Sequence, residues 1–258
     1  MDTFFWAGAG TGFTCLMTAL GAAVVLFFRR EIHRNVQRLF LGFAAGVMIA
    51  ASVWSLLLPA IEAAQRSGSI GWIPAAGGFS LGIVFLMGVD SILPVLFSHR
   101  TRKDSFSRTA LLVLAVTLHN IPEGMAVGLS FAMAGQMQDP TLLASAAALA
   151  LGIGIQNFPE GAAISLPLRQ EGFSPCRAFW YGSLSGVVEL LFGLLAVYMA
   201  DFLQPIMPWL LSFAAGAMIY VVVQELIPEA HLGERSNIGT LGVTLGFVLM
   251  MVLDVALG

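Results

Sequence analysis

Long apolar runs alternate along this chain with short polar connections. Eight runs can be cut, at about 4–28, 39–59, 75–97, 109–131, 141–168, 178–200, 208–228 and 238–257. At 1.5 Å per residue, roughly 20 apolar residues cross the ~30 Å of bilayer hydrocarbon as a helix. Backbone polar groups in hydrocarbon must be paired within the protein, so each run is expected to be helical. The ten-residue alternation of a membrane barrel is absent from the sequence. The pattern therefore predicts an all-α membrane protein, a single transmembrane domain of eight helices over 1–258. No remaining stretch is long enough for an additional soluble domain.

Composition supports this and excludes a soluble domain. Of 258 residues, 58% are hydrophobic and 10% charged, and mean hydropathy is +0.87; soluble domains hold roughly 45–50% apolar and about 25% charged residues. The net charge of −3 matters less than where the cations lie. Arg29, Arg30, Arg34 and Arg38 follow run 1, and Arg100, Arg102, Lys103 and Arg108 follow run 3. Arg169 and Arg177 follow run 5, and Arg235 follows run 7; Arg66 stands alone on the other side. Cytoplasmic loops are enriched in Lys and Arg, so both termini are expected outside, in an inner or plasma membrane. The N-terminus lacks a basic n-region and an A-x-A site, so run 1 is expected to be retained. Cys15 and Cys176 form no ligand-like pair and read as packing residues.

Three pairs of runs are alike. Phe43–Ile49 (FAAGVMI) matches Phe213–Ile219 (FAAGAMI). Gly78, Ser80, Leu81, Gly82, Val84 and Asp90 match Gly242, Thr244, Leu245, Gly246, Val248 and Asp254. His119-Asn120-Ile121-Pro122-Glu123-Gly124 matches Gln156-Asn157-Phe158-Pro159-Glu160-Gly161. The partners are an odd number of runs apart, so they cross the membrane in opposite directions. The order is three, two, three, with inverted pseudo-symmetry, an arrangement common in secondary carriers with midplane sites.

Polar groups at that depth need a partner or a function, since a central charge costs about 2.5–3.5 kcal/mol on insertion scales. Run 4 carries His119, Asn120 and Glu123; residues three and four apart share one helix face. Run 5 repeats this with Gln156, Asn157 and Glu160, run 6 adds Glu189, and run 2 adds Met48. No Lys or Arg lies within any of the eight runs, so the carboxylates have no buried basic partner there. Imidazole, carboxylate and amide oxygens suit zinc, and a thioether extends tolerance to softer ions such as cadmium. Pro122 and Pro159 cannot donate backbone hydrogen bonds, and each is followed by a glycine two residues on. Both helices are therefore expected to be broken beside the site. Asp90 and Asp254 read as structural hydrogen-bonding groups, Met218 as core, and Glu225 as a possible path residue. His33 and His99 read as solvated.

Two other classes fit less well. An intramembrane metalloprotease needs a second histidine in an HExxH pattern, which run 4 lacks. A channel or non-metal carrier would not require His, Gln, Asn and Met at one depth. Nothing suggests nucleic-acid binding or a catalytic cofactor.

At these residues the sequence resembles the ZIP (Zrt-, Irt-like) metal transporters, particularly the bacterial GufA-like branch. HNIPEG at 119–124, QNFPEG at 156–161 and GVMIAAS at 46–52 carry the resemblance. It implies transport of zinc, with cadmium, iron or manganese as further cargo, toward the cytoplasm by a homodimer. It also implies a binuclear site. The first position would use Met48, His119, Glu123, Gln156 and Glu160. The second would use Asn120, Glu123, Asn157, Glu160 and Glu189, with both glutamates bridging. Some relatives carry Asp at the place of Asn157, which leaves the second position less anionic here. Ser55 and Glu62 would line the entrance and His231 the exit. The connection after run 3 is short, with His99 as its one histidine, which argues against metal sensing there.

Overall fold

The computed structural model describes residues 2–27, 33–97, 105–170, 172–231 and 237–257. Eight long helices account for most of them: α1 (Thr3–Phe27), α2 (Arg34–Arg66), α3 (Trp72–Phe97), α4 (Ser105–Met137), α5 (Pro140–Gln170), α6 (Pro175–Tyr198), α7 (Ala200–Leu226, continued by Ile227–His231) and α8 (Ile238–Leu257). Seven of these are long and apolar enough to cross a membrane. The other, α4, is 33 residues long and carries the HNIPEG segment. Most of the expected runs reappear within a few residues; α2, α4 and α7 extend furthest beyond theirs. Arg29, Arg30, His99, Arg100, Arg102, Lys103 and Arg235 lie outside the described residues, as do the side chains of Arg108, His119 and His231.

The helices form two groups. In one, α1, α4, α5 and α6 pack together; in the other, α2 lies along α8 and α3 along α7. Glycines set the closest crossings. On α2 and α8, a Cβ at Gly46 would strike Val243 O, and one at Gly246 would strike Phe43 O. On α3 and α7, Gly82 rests on Phe213 O and Gly216 on Phe79 O. Each position is the repeat partner of one in the other pair, so the inverted repeat recurs as the same backbone-to-backbone contact. Small residues permit such approach, which van der Waals packing needs where lipid is as apolar as the protein.

The symmetry extends to a feature the sequence reading missed. Both α2 and α7 widen into a π turn, over Ser52–Leu57 and Val222–Leu226. Leu58 N donates to Val53 O and Ile227 N to Val222 O, each five residues back. A proline follows each turn, Pro59 and Pro228. Proline cannot donate, and its ring crowds the carbonyl four residues earlier; one extra residue in the turn relieves that crowding. By contrast α4 and α5 run unbroken through Pro122, Pro159 and Pro167. The expected breaks are therefore corrected. Prolines inside a membrane helix are tolerated where neighbouring groups satisfy the freed carbonyls.

A polar pair ties each π-bearing helix to its neighbour, and the acids of the two pairs, Asp254 and Asp90, are repeat partners. Ser55 Oγ donates to Asp254 Oδ1 at 2.6 Å, buried between α2 and α8. Tyr220 donates to Asp90 between α7 and α3. Losing a donor to a buried carboxylate costs about 1–3 kcal/mol. Ser55→Ala is expected to lower stability by that amount, read as a fall in denaturation midpoint in detergent. An unchanged midpoint would show that the pair contributes nothing.

Candidate functional site

The site lies where α2, α4, α5 and α6 meet at mid-depth. Two glycines bring the helices close enough. A Cβ on Gly124 would strike the Glu189 backbone, and one on Gly161 would strike Thr18 O. These are the glycines that follow the paired Pro-Glu steps. They act by close approach, which seats α4 against α6 and α5 against α1.

Asn120, Glu123, Gln156, Asn157 and Glu189 are all buried, each 3% exposed or less. Gln156 Nε2 donates to Glu123 Oε1 at 2.9 Å and to Asn157 Oδ1 at 3.4 Å. Asn157 Nδ2 donates to Glu189 Oε2 at 2.6 Å. Asn120 Nδ2 donates to Ser185 O at 3.1 Å and Glu189 Oε1 at 3.3 Å. Thr18 Oγ1 adds a 3.1 Å bond to Glu189 Oε1, with Thr14 beside it. Sequence reasoning missed α1's part. The signal was present as Thr11, Thr14 and Thr18, a buried stripe at helical spacing on an apolar run.

Some acceptors remain over. Glu123 Oε2, Gln156 Oε1 and Asn120 Oδ1 are buried without a hydrogen-bond partner. A buried acceptor with no donor is costly, and an oxygen left without a proton suits a cation. A cavity of about 170 Å³ reaches this point. Met48, Glu123, Gln156 and Glu160 line its inner end, with Glu225 further along the wall. It shares Gln37, Leu41, Pro159, Ala163 and Pro167 with a wider vestibule of about 550 Å³. That vestibule opens at the end of the bundle bearing His33 and Arg34. Past Glu123 in the other direction, one apolar cluster containing Leu56, Leu129, Phe131, Leu149, Ile153 and Met250 closes the bundle.

The structure thus gathers Met48, Asn120, Glu123, Gln156, Asn157, Glu160 and Glu189 in one neighbourhood. The α4 backbone carries His119 at the same level, but its side chain is outside the described residues. Among the described residues no three His, Cys, Asp or Glu side chains are close enough to hold a metal by themselves; amide and thioether donors make up the rest. Ser55 is buried and donates to Asp254. Glu62 is exposed and pairs with Arg66 at 3.4 Å. His231 ends the short helix after α7. Met218 is core, as expected.

An integral membrane protein built on an inverted repeat, with a buried polar site that a cavity reaches from the end bearing His33 and Arg34, belongs to the class of solute carriers. Comparison with known proteins narrows the class. The profile of the ZIP zinc transporter family matches residues 102–254. The chain is 39% identical to zinc transporter ZIP11 of Homo sapiens, covering 100% of this chain and 98% of that one. It is 41% identical to zinc transporter GufA of Myxococcus xanthus, over 93% of this chain and 94% of its relative. To zinc transporter ZIPB of Bordetella bronchiseptica it is 40% identical, over 97% and 80%. The chain belongs to the ZIP zinc transporter family, and it is a transporter and not an enzyme.

Proposed function

We propose that this protein carries a divalent transition-metal cation, zinc first, toward the cytoplasm through a midplane site of Met48, His119, Glu123, Gln156 and Glu160. One observation carries the reading: Glu123 Oε2 and Gln156 Oε1 are buried, donorless acceptors on residues that line the same cavity. A carboxylate, an amide oxygen and a thioether suit zinc and tolerate cadmium, iron or manganese. Basic residues Arg34 and Arg169 near the vestibule end make that end cytoplasmic under the positive-inside rule. The cavity then faces inward, and transport requires one helix group to move against the other to expose the site outside. Resemblance to the family implies a second position of Asn120, Asn157 and Glu189, bridged by Glu123 and Glu160, but Asn157 leaves that position less anionic than an aspartate would. Assembly as a homodimer belongs to the same reading; apolar faces on α3 and α8, with Leu81, Val84, Leu245 and Val248 exposed, suit a second copy as well as lipid.

The test is zinc uptake into proteoliposomes, with cadmium as a second probe. Glu160→Ala is expected to lose at least 90% of the parent's initial rate for both ions. Parent-like uptake by that variant would sink the site reading. No uptake by the parent in either membrane orientation would sink the proposed direction and cargo.

A further inference from the structure

We infer that the transport site holds a single dication, and that Glu189 is a positioning residue and not a metal ligand. This rests on the site reading above and concerns how many ions that site takes. Three independent observations support it.

The first is geometry. The cavity wall includes Met48, Glu123, Gln156 and Glu160, and does not include Asn120, Asn157 or Glu189. Asn120, Asn157 and Glu189 lie behind the wall, each fully buried.

The second is hydrogen bonding. Both Glu189 oxygens are engaged, Oε2 by Asn157 and Oε1 by Asn120 and Thr18. A carboxylate with three donors is already satisfied by protein. Its position also sets the amides. With Nδ2 held on Glu189, Asn157 presents Oδ1 to Gln156 Nε2. Gln156 Nε2 is shared between that oxygen and Glu123. Gln156 Oε1 is then left over without a donor. Turning Asn157 to ligate a second ion would set its oxygen against the Glu189 carboxylate and release Gln156.

The third is charge. Glu123, Glu160 and Glu189 carry at most three negative charges, and the eight apolar runs contain no Lys or Arg. One dication leaves a single negative charge, which three donors hold at Glu189. Two dications would leave a net positive charge at mid-depth, where unpaired charge is costly. An aspartate at 157 would supply the fourth carboxylate that two dications need.

The experiment counts zinc and cadmium ions per chain by equilibrium dialysis and elemental analysis, on the full chain in lipid nanodiscs. Site-specific binding is what the double variant Glu123→Ala/Glu160→Ala loses. We expect one ion for the parent, one for Glu189→Gln and two for Asn157→Asp. In Glu189→Gln, zinc should bind about 10–100-fold more weakly, while the X-ray absorption spectrum of the bound ion stays that of the parent. Two site-specific ions in the parent, falling to one in Glu189→Gln, would overturn the inference while leaving the transport site standing. An altered zinc spectrum in Glu189→Gln would make Glu189 a ligand, and Asn157→Asp remaining at one ion would refute the charge argument. A parent that binds no ion lost by the double variant would fail the site itself, and this inference with it.

Discussion

Glu123→Ala is expected to abolish zinc transport, with a loss of at least about 100-fold in initial rate. Glu123 is at the centre of the polar network. It lines the cavity, its Oε1 accepts from Gln156 at 2.9 Å, and its Oε2 has no donor. Removing the carboxylate takes away a charge the cation needs and frees the Gln156 amide to turn. The fold should survive, because the carboxylate is itself expensive to bury and stands near Glu160 and Glu189 without a basic partner in the apolar runs. Glu123→Gln keeps the shape and is expected to be at least as stable as the parent without metal. What it should lose is metal-dependent stabilisation. A ligand at 100 times its Kd contributes about 2.7 kcal/mol, so the parent's melting temperature should rise with zinc and the variant's should not. A variant that melts with the parent's zinc shift would place the ion elsewhere. A variant that fails to fold without metal would show that Glu123 is chiefly structural.

Much of this architecture is legible in the sequence because membrane folding limits the choices. Runs such as 75–97 and 238–257 have one good conformation in hydrocarbon, and the helices found there begin and end within a few residues of the runs. The site is legible for a related reason. Polar residues as costly as Glu123 and Glu189 stand out against an apolar background, and repetition of the Asn-x-Pro-Glu-Gly segment is enough by itself to pair α4 with α5.

The rest depends on backbone geometry that residue types encode weakly. Pro122 and Pro159 look like breaks, yet their helices continue; Pro59 and Pro228, in plain view after apolar pairs, are the ones that widen a turn. Whether a proline breaks, bends or widens a helix depends on what can accept the displaced carbonyl, and that is a tertiary matter. Thr18 escapes notice because threonines in an apolar helix commonly bond their own backbone, as Thr18 also does to Thr14 O. Its second bond, to Glu189, crosses 171 positions of chain. The bond from Ser55 to Asp254 on α8 spans 199 positions and cannot be read from spacing.

The second large effect is expected at Gly124, and it is a matter of space. A Cβ there would lie against the backbone O, Cα and C of Glu189, with no flexible side chain able to yield. Gly12, on α1, would place its Cβ in open space. Replacing either glycine by leucine improves intrinsic helix propensity by a similar amount, up to about 1 kcal/mol, so the pair isolates the crossing. Overpacking a tight contact costs about 1–3 kcal/mol where side chains can adjust, and more is expected here because only the helices themselves can move. Gly124→Leu should therefore force α4 from α6, stretch the bonds from Asn120 to Ser185 O and Glu189, and lose both folded yield and transport. Gly12→Leu should keep the parent's elution profile, melting temperature and uptake rate. Size-exclusion yield in detergent and uptake in proteoliposomes, measured on both variants, read the two consequences separately. If Gly124→Leu folds with normal yield but transports nothing, the crossing serves chiefly to place Glu189. If it both folds and transports, α4 and α6 are farther apart in the membrane than the glycine contact requires.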